Sequence, residues 1–114
     1  MGDSEIESRL NELREKGKEH AKAESERCYL EDFKKAKLAT LMKEAENAGF
    51  KTVSAQEREA YASQDYANLL NGLKVATDRS IRLKWEIESI RAALSVWQTS
   101  MANQRAEAGF YKRG

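Results

Sequence analysis

The sequence predicts an all-α fold: a long antiparallel helical hairpin, coiled-coil-like, with a short helix at its turn and an oligomeric assembly. Three observations lead there. The 114 residues contain no proline, so nothing interrupts helix hydrogen bonding by ring closure. From Tyr66 to Met101, core-type residues recur at alternating steps of three and four. Hydrophobic residues make up 40% of the chain, yet sixteen residues are alanine, which leaves few large side chains for a multilayer core. Long helices need fewer, because each buries only a stripe.

The first element is a helix over residues 3–48. Asp3 or Ser4 offers a side-chain oxygen to orphan N–H groups of the first turn. Asp3, Glu5 and Glu7 suit the positive end of the helix dipole. Glu5–Arg9, Glu12–Lys16 and Glu31–Lys35 are spaced for ion pairs one turn apart. The stop signal is Asn47-Ala48-Gly49, since glycine reaches the left-handed conformation without a side-chain clash.

Phe50 to Val53 reads as an extended connection. Ser54-Ala-Gln-Glu57 reads as a capping box that starts a short helix ending near Ala62. Ser63 and Asp65 offer a further cap before Tyr66. The spacing is consistent with one helix or with two pieces joined by a kink.

The last helix carries the stripe Tyr66, Leu69, Leu73, Ala76, Ser80, Leu83, Ile87, Ile90, Leu94, Trp97 and Met101. Its 3.5-residue period marks a helix lying along a partner. The helix is expected to end near Ala108, before Gly109. The organisation is therefore one domain, 1–108, followed by a flexible tail, 109–114.

Pairing the helices about the turn sets Leu38 and Leu41 beside Leu73 and Ala76, and Leu30 and Phe33 near Ser80 and Leu83. Beyond that level the stripe faces the region Lys16 to Arg27, where the apolar supply is poor. Ile87, Ile90, Leu94, Trp97 and Met101 are then left over. A second copy of the chain is the simplest cover, so these five residues are the expected interface of at least a dimer.

Catalytic chemistry is scarce. His20, Glu24 and Cys28 share one helical face, but no CxxC or HxxxH spacing makes them a metal site. Cys28 and His20 lie two turns apart, too far to act as a nucleophile pair. Carboxylates alternate with lysine and arginine as on a solvated helix face. No glycine-rich phosphate loop is present. The expectation is no enzyme and no cofactor. The single cysteine excludes an internal disulfide framework. A basic cluster is more informative. Lys34, Lys35 and Lys37 on the first helix, with Lys74, Arg79, Arg82 and Lys84 on the second, fall at one level in this register. Trp85 and Tyr29 are close enough in sequence to stack on bases. Against this, the net charge of +1 supplies no general attraction to nucleic acid.

Three segments carry a resemblance: Phe33-Lys-Lys-Ala-Lys-Leu-Ala-Thr-Leu-Met42, Lys51-Thr-Val-Ser-Ala-Gln-Glu-Arg-Glu-Ala-Tyr61, and Ala92-Ala-Leu-Ser-Val-Trp-Gln-Thr-Ser-Met-Ala-Asn-Gln-Arg-Ala-Glu107. Over Tyr29 to Glu107, about two-thirds of the chain, the sequence resembles small all-helical proteins of tailed bacteriophages and prophages. The resemblance implies an accessory protein of the early, DNA-metabolism region and no catalytic residues. The expected function is a non-enzymatic interaction protein that self-associates and binds a phage or host protein. A nucleic-acid-binding accessory factor is the alternative. Met1 to Arg14 lacks the apolar core of a secretory signal, and no apolar run is long enough to span a bilayer, so no membrane association is expected. The expected location is the cytoplasm of a bacterial host cell.

Overall fold

Three helices account for most of the described residues: α1 (Asp3–Asn47), α2 (Val53–Ala62) and α3 (Gln64–Arg113). The computed structural model describes residues 2–113, with side chains through Phe110. It is 94% helical, with no strand among the described residues. The fold is an antiparallel helical hairpin with a short helix at the turn, as predicted.

α1 ends where its glycine predicts. Gly49 has φ +107°, the one positive φ among the described residues. Phe50 N–H donates to the Ala45 carbonyl and Gly49 N–H to the Glu46 carbonyl, each at 3.1 Å. This is a Schellman closure, which satisfies carbonyls that the last turn would leave orphaned.

The start of α2 differs from the prediction. The cap is Thr52, not Ser54. Thr52 is extended (φ −98°, ψ 150°), and its hydroxyl accepts from Ala55 N–H at 3.1 Å. The helix thus begins at Val53, and Ser54 falls inside its first turn. Gln56 is buried and turns back to donate to the Phe50 carbonyl at 2.9 Å, tying the connection to the helix.

A single residue divides α2 from α3. Ser63 is extended (φ −72°, ψ 150°). Its hydroxyl donates to the Ala60 carbonyl at 2.7 Å and accepts from Tyr66 N–H at 3.1 Å. One side chain closes the outgoing helix and caps the incoming one.

α3 continues past its predicted end. Gly109 keeps helical dihedrals, and with no proline near it the helix runs on to Arg113. The side chains of Tyr111, Lys112 and Arg113, and the whole of Gly114, in the expected tail, lie outside the described residues.

The chain forms two compact units, one of Ala21–Ile81 and the other of the residues up to His20 with those from Arg82 onward. In the Ala21–Ile81 unit the core is Leu41, Ala60, Tyr66 and Leu69, with Leu30, Leu38 and Met42 packed around it. The register is read from three pairs. Lys37 meets Asp65 at 3.5 Å, Gly72 lies beside Leu30, and Ser80 meets Glu24 at 2.6 Å. This corrects the predicted register. Leu41 packs on Ala60, Tyr66 and Leu69 rather than beside Leu73 and Ala76. Ser80 lies opposite Glu24 rather than Leu30 and Phe33. The reason is α2: it occupies the last turns of α1, so α3 starts alongside Lys37 instead of alongside the end of α1.

In the other unit, Lys16 Nζ meets Glu86 Oε2 at 2.9 Å. Leu83, Ile87 and Ile90 are buried there. Antiparallel from the Lys16–Glu86 pair, Leu13, Leu10 and Ile6 follow on α1 as Ile90, Leu94 and Trp97 follow on α3. The expected ion pair Glu12–Lys16 is not formed, because Lys16 is engaged across the hairpin. Elsewhere on α1 the pairs are three apart, as in Arg9–Glu12 at 3.3 Å and Lys18–Glu15 at 3.2 Å.

Candidate functional site

The expected oligomer interface is only partly available. Ile87 is 9% exposed and Ile90 5% within the single chain, so neither is free to join a second copy. The mismatch that selected them came from the wrong register. In the true register they lie level with Lys16 and Leu13, not further along α1 toward Arg27. Lys16 is half-buried, and its ammonium meets Glu86. Leu94 and Trp97 are half-buried, and Met101 is 37% exposed. The Trp97 Nε1 atom is buried without a hydrogen-bond partner among the described residues.

The predicted basic level does not form as one surface. Lys37 pairs with Asp65, whereas Arg79 lies next to Ser80, opposite Glu24. Fourteen residues of helix separate Asp65 from Arg79, roughly 20 Å along the axis. Arg82, Lys84 and Trp85 belong to the other unit, where Trp85 is 68% exposed.

Lys34 and Lys35 do come together with aromatic residues, though not with Trp85. They line an open groove of about 330 Å³ with Glu31, Leu38, Tyr61 and Tyr66. Each element contributes for a local reason. On α1, Glu31, Lys34, Lys35 and Leu38 recur at three- and four-residue steps, so they share one flank. On the other side, the break at Ser63 brings Tyr61, at the end of α2, against Tyr66, at the start of α3. Their rings meet edge to face at 5.1 Å and 85°. Tyr66 belongs to the core and Tyr61 is exposed, so one ring is fixed and the other stands on it.

Among the described residues, neither Lys34 nor Lys35 has a carboxylate within ion-pair distance. Lys34 is half-buried nonetheless. The tyrosine pair was hidden in the sequence because Tyr66 reads as a seam residue and Tyr61 as a helix end. Five-residue spacing across a predicted cap at Ser63 was the available signal.

Two further features lie in the same unit. Tyr29 and Phe33 stack in parallel on the outside of α1, with centroids 5.9 Å apart and planes 7° apart. Glu24 accepts from Ser80 and from the Arg27 guanidinium, whose Nε lies 2.9 Å away. That carboxylate and its hydrogen bond hold Arg27 above the usual arginine pKa. Cys28 is exposed, with Arg27 Nη2 3.6 Å from its sulfur.

No group of three or more histidine, cysteine or acidic side chains among the described residues is arranged to hold a metal ion. None of their helices is long and apolar enough to cross a membrane. Comparison with protein families, with curated proteins and with solved structures finds no match.

Proposed function

We propose that this chain is a non-enzymatic helical interaction protein that binds another protein and self-associates. The stacked pair Tyr29–Phe33 carries the reading. Tyr29 is 65% exposed and Phe33 39%, although the seam of the hairpin runs one face away. Aromatic rings held rigidly at a surface supply large contact area at small entropic cost, and such rings dominate protein interfaces. A phage or host protein is the partner proposed. Self-association rests on Leu94, Trp97 and Met101, without Ile87 and Ile90.

The test is affinity capture from bacterial lysate, with and without nuclease, followed by mass spectrometry. The expected result is a defined protein retained after nuclease and lost with Tyr29→Ser plus Phe33→Ser. Both positions are exposed or half-exposed, so circular dichroism of the variant should match wild type. Capture that disappears with nuclease would return the assignment to nucleic-acid binding.

A further inference from the structure

We infer that the groove formed by Lys34, Lys35, Leu38, Tyr61 and Tyr66 docks an acidic peptide segment bearing an apolar side chain. The inference rests on the reading of the chain as an interaction protein and names one binding surface and its chemistry.

Three lysines of α1 are half-buried toward the hairpin: Lys16, Lys34 and Lys37. Two of them meet a carboxylate of α3, Lys16 at Glu86 and Lys37 at Asp65. Lys34 meets none, and neither does its neighbour Lys35. A lysine ammonium beside an apolar groove makes charge-assisted hydrogen bonds to a carboxylate that reaches it. The fold provides that counter-charge for the other two lysines and leaves the third to be completed from outside.

The floor beside Lys34 sets the second requirement. Leu38 and the edge-to-face Tyr61–Tyr66 pair make an apolar, aromatic surface in a groove of about 330 Å³. That is the small end of the size range of ligand pockets. It fits one large side chain and the carboxylates next to it. Carboxylates reach the two ammonium groups while the apolar side chain lies on Leu38 and the tyrosine faces.

Glu31, on the same groove, limits how an anion can lie there. A peptide can turn backbone N–H donors to Glu31 while its carboxylates reach Lys34 and Lys35, whereas a nucleic-acid strand repeats its charge at every phosphate. Two cations at one level are also few for a polyanion, since Arg79 lies a long way down α3 from Lys37. Nucleic-acid affinity depends on neutralising several phosphates together.

The experiment is an NMR titration of the full-length ¹⁵N-labelled chain with a capped pentapeptide, one phenylalanine flanked on each side by two glutamates. The expected result is saturable shifts at Lys34, Lys35, Leu38, Tyr61 and Tyr66. A glutamine counterpart should bind about tenfold more weakly or worse, the scale of a charged hydrogen bond. Lys34→Met with Lys35→Met keeps the aliphatic stems and should lose a similar factor. Lys35→Met alone, at an exposed position, guards against misfolding and should also weaken binding. Absence of saturation at millimolar peptide would overturn the inference, as would equal binding of the glutamine peptide. Oligothymidylate binding these residues more tightly than the peptide would overturn it in favour of phosphate. If the peptide fails while Tyr29→Ser plus Phe33→Ser still abolishes protein capture, the groove assignment falls and the interaction reading stands.

Discussion

Ser80 Oγ donates a 2.6 Å hydrogen bond to Glu24 Oε1, joining α3 to α1 in the middle of an otherwise apolar stripe. Ser80 is buried, and the Arg27 guanidinium holds the same carboxylate from the other side, with Nη2 3.1 Å from Oε2. A small hydroxyl at this seam position admits Glu24, and a leucine there would not. Shifting the helices by one turn would break this hydrogen bond between them. The pair therefore selects one register among several that a heptad stripe allows, the best-attested use of a polar group in a helical seam.

Ser80→Ala should destabilise the fold by about 1–3 kcal/mol, because a buried hydrogen bond to a charged group is lost. Urea unfolding followed by circular dichroism measures this. An unchanged midpoint would mean that Ser80 does not set the register.

The cap exchange at the turn gives a second expectation. Thr52→Ala should cost about 0.5–2 kcal/mol, the usual loss when an N-cap oxygen is removed. Ser54→Ala should change stability by no more than about 0.5 kcal/mol, as at other exposed positions. Thermal denaturation of the two variants side by side decides it. The reverse order would restore the capping box from Ser54 to Glu57.

Much of this fold is legible in the sequence, and the parts that are not share a cause. The end of α1 follows from local chemistry at Gly49 and appears where that residue places it, whereas the break at Ser63 decides between one helix and two pieces, which the spacing leaves open. The stripe from Tyr66 to Ile90 is buried at every predicted position. Register is different, because it depends on how much of α1 the short helix covers. Leu41 and Ala45 look equally fit to meet α3 or α2, and only the assembled core decides. That one displacement moved Ile87 and Ile90 into the single-chain core and separated Arg79 from Lys37. The groove was half legible: its lysines stand out as a run, but its tyrosines meet only after the chain turns at Ser63.

Glycines inside the helices supply a third expectation. A Cβ added at Gly17 would meet nothing within 4 Å, and one at Gly72 would meet only Leu30 Cδ1 at 4.0 Å, an ordinary contact. Both residues keep helical dihedrals. Gly17→Ala and Gly72→Ala should therefore each stabilise by about 0.5–1 kcal/mol, the helix penalty of glycine. Loss of stability at Gly72 would show that α1 and α3 approach more closely there than 4.0 Å allows.

Alkaline pH should weaken the Lys16–Glu86 link. The hydrogen bond to Glu86, then its charge, raise the Lys16 pKa above its ordinary 10.5, while partial burial opposes them. A raised folded-state pKa means stabilisation that is complete below the unfolded value and lost as pH climbs through the folded one. The ion pair is present at neutral pH and disappears above about 10.5. Comparing wild type with Lys16→Met across that range isolates it. Their stabilities should differ near pH 8 and converge in strong alkali; a constant gap would assign the effect to packing of the stem.

The last expectation separates folding from assembly along one stripe. Ile90 is 5% exposed inside the single chain, whereas Met101, three turns further along α3, is 37% exposed. Ile90→Asp places a carboxylate at a buried position of the apolar stripe, so it should unfold much of the helix pairing, at a cost of about 3 kcal/mol or more. Its signature is a lowered unfolding midpoint and reduced helical ellipticity at any protein concentration. Met101→Asp leaves the core untouched and should shift stability by no more than about 0.5 kcal/mol. If copies of the chain join through Leu94, Trp97 and Met101, this second variant lowers the mass seen by light scattering while the helical signal stays. Concentration matters only for the second effect, because association depends on it and single-chain packing does not. A wild-type chain that is monomeric at tens of micromolar would remove self-association and leave Met101 as surface for a different protein. A dimer broken by Ile90→Asp without loss of helix would instead contradict the burial of Ile90 within one chain.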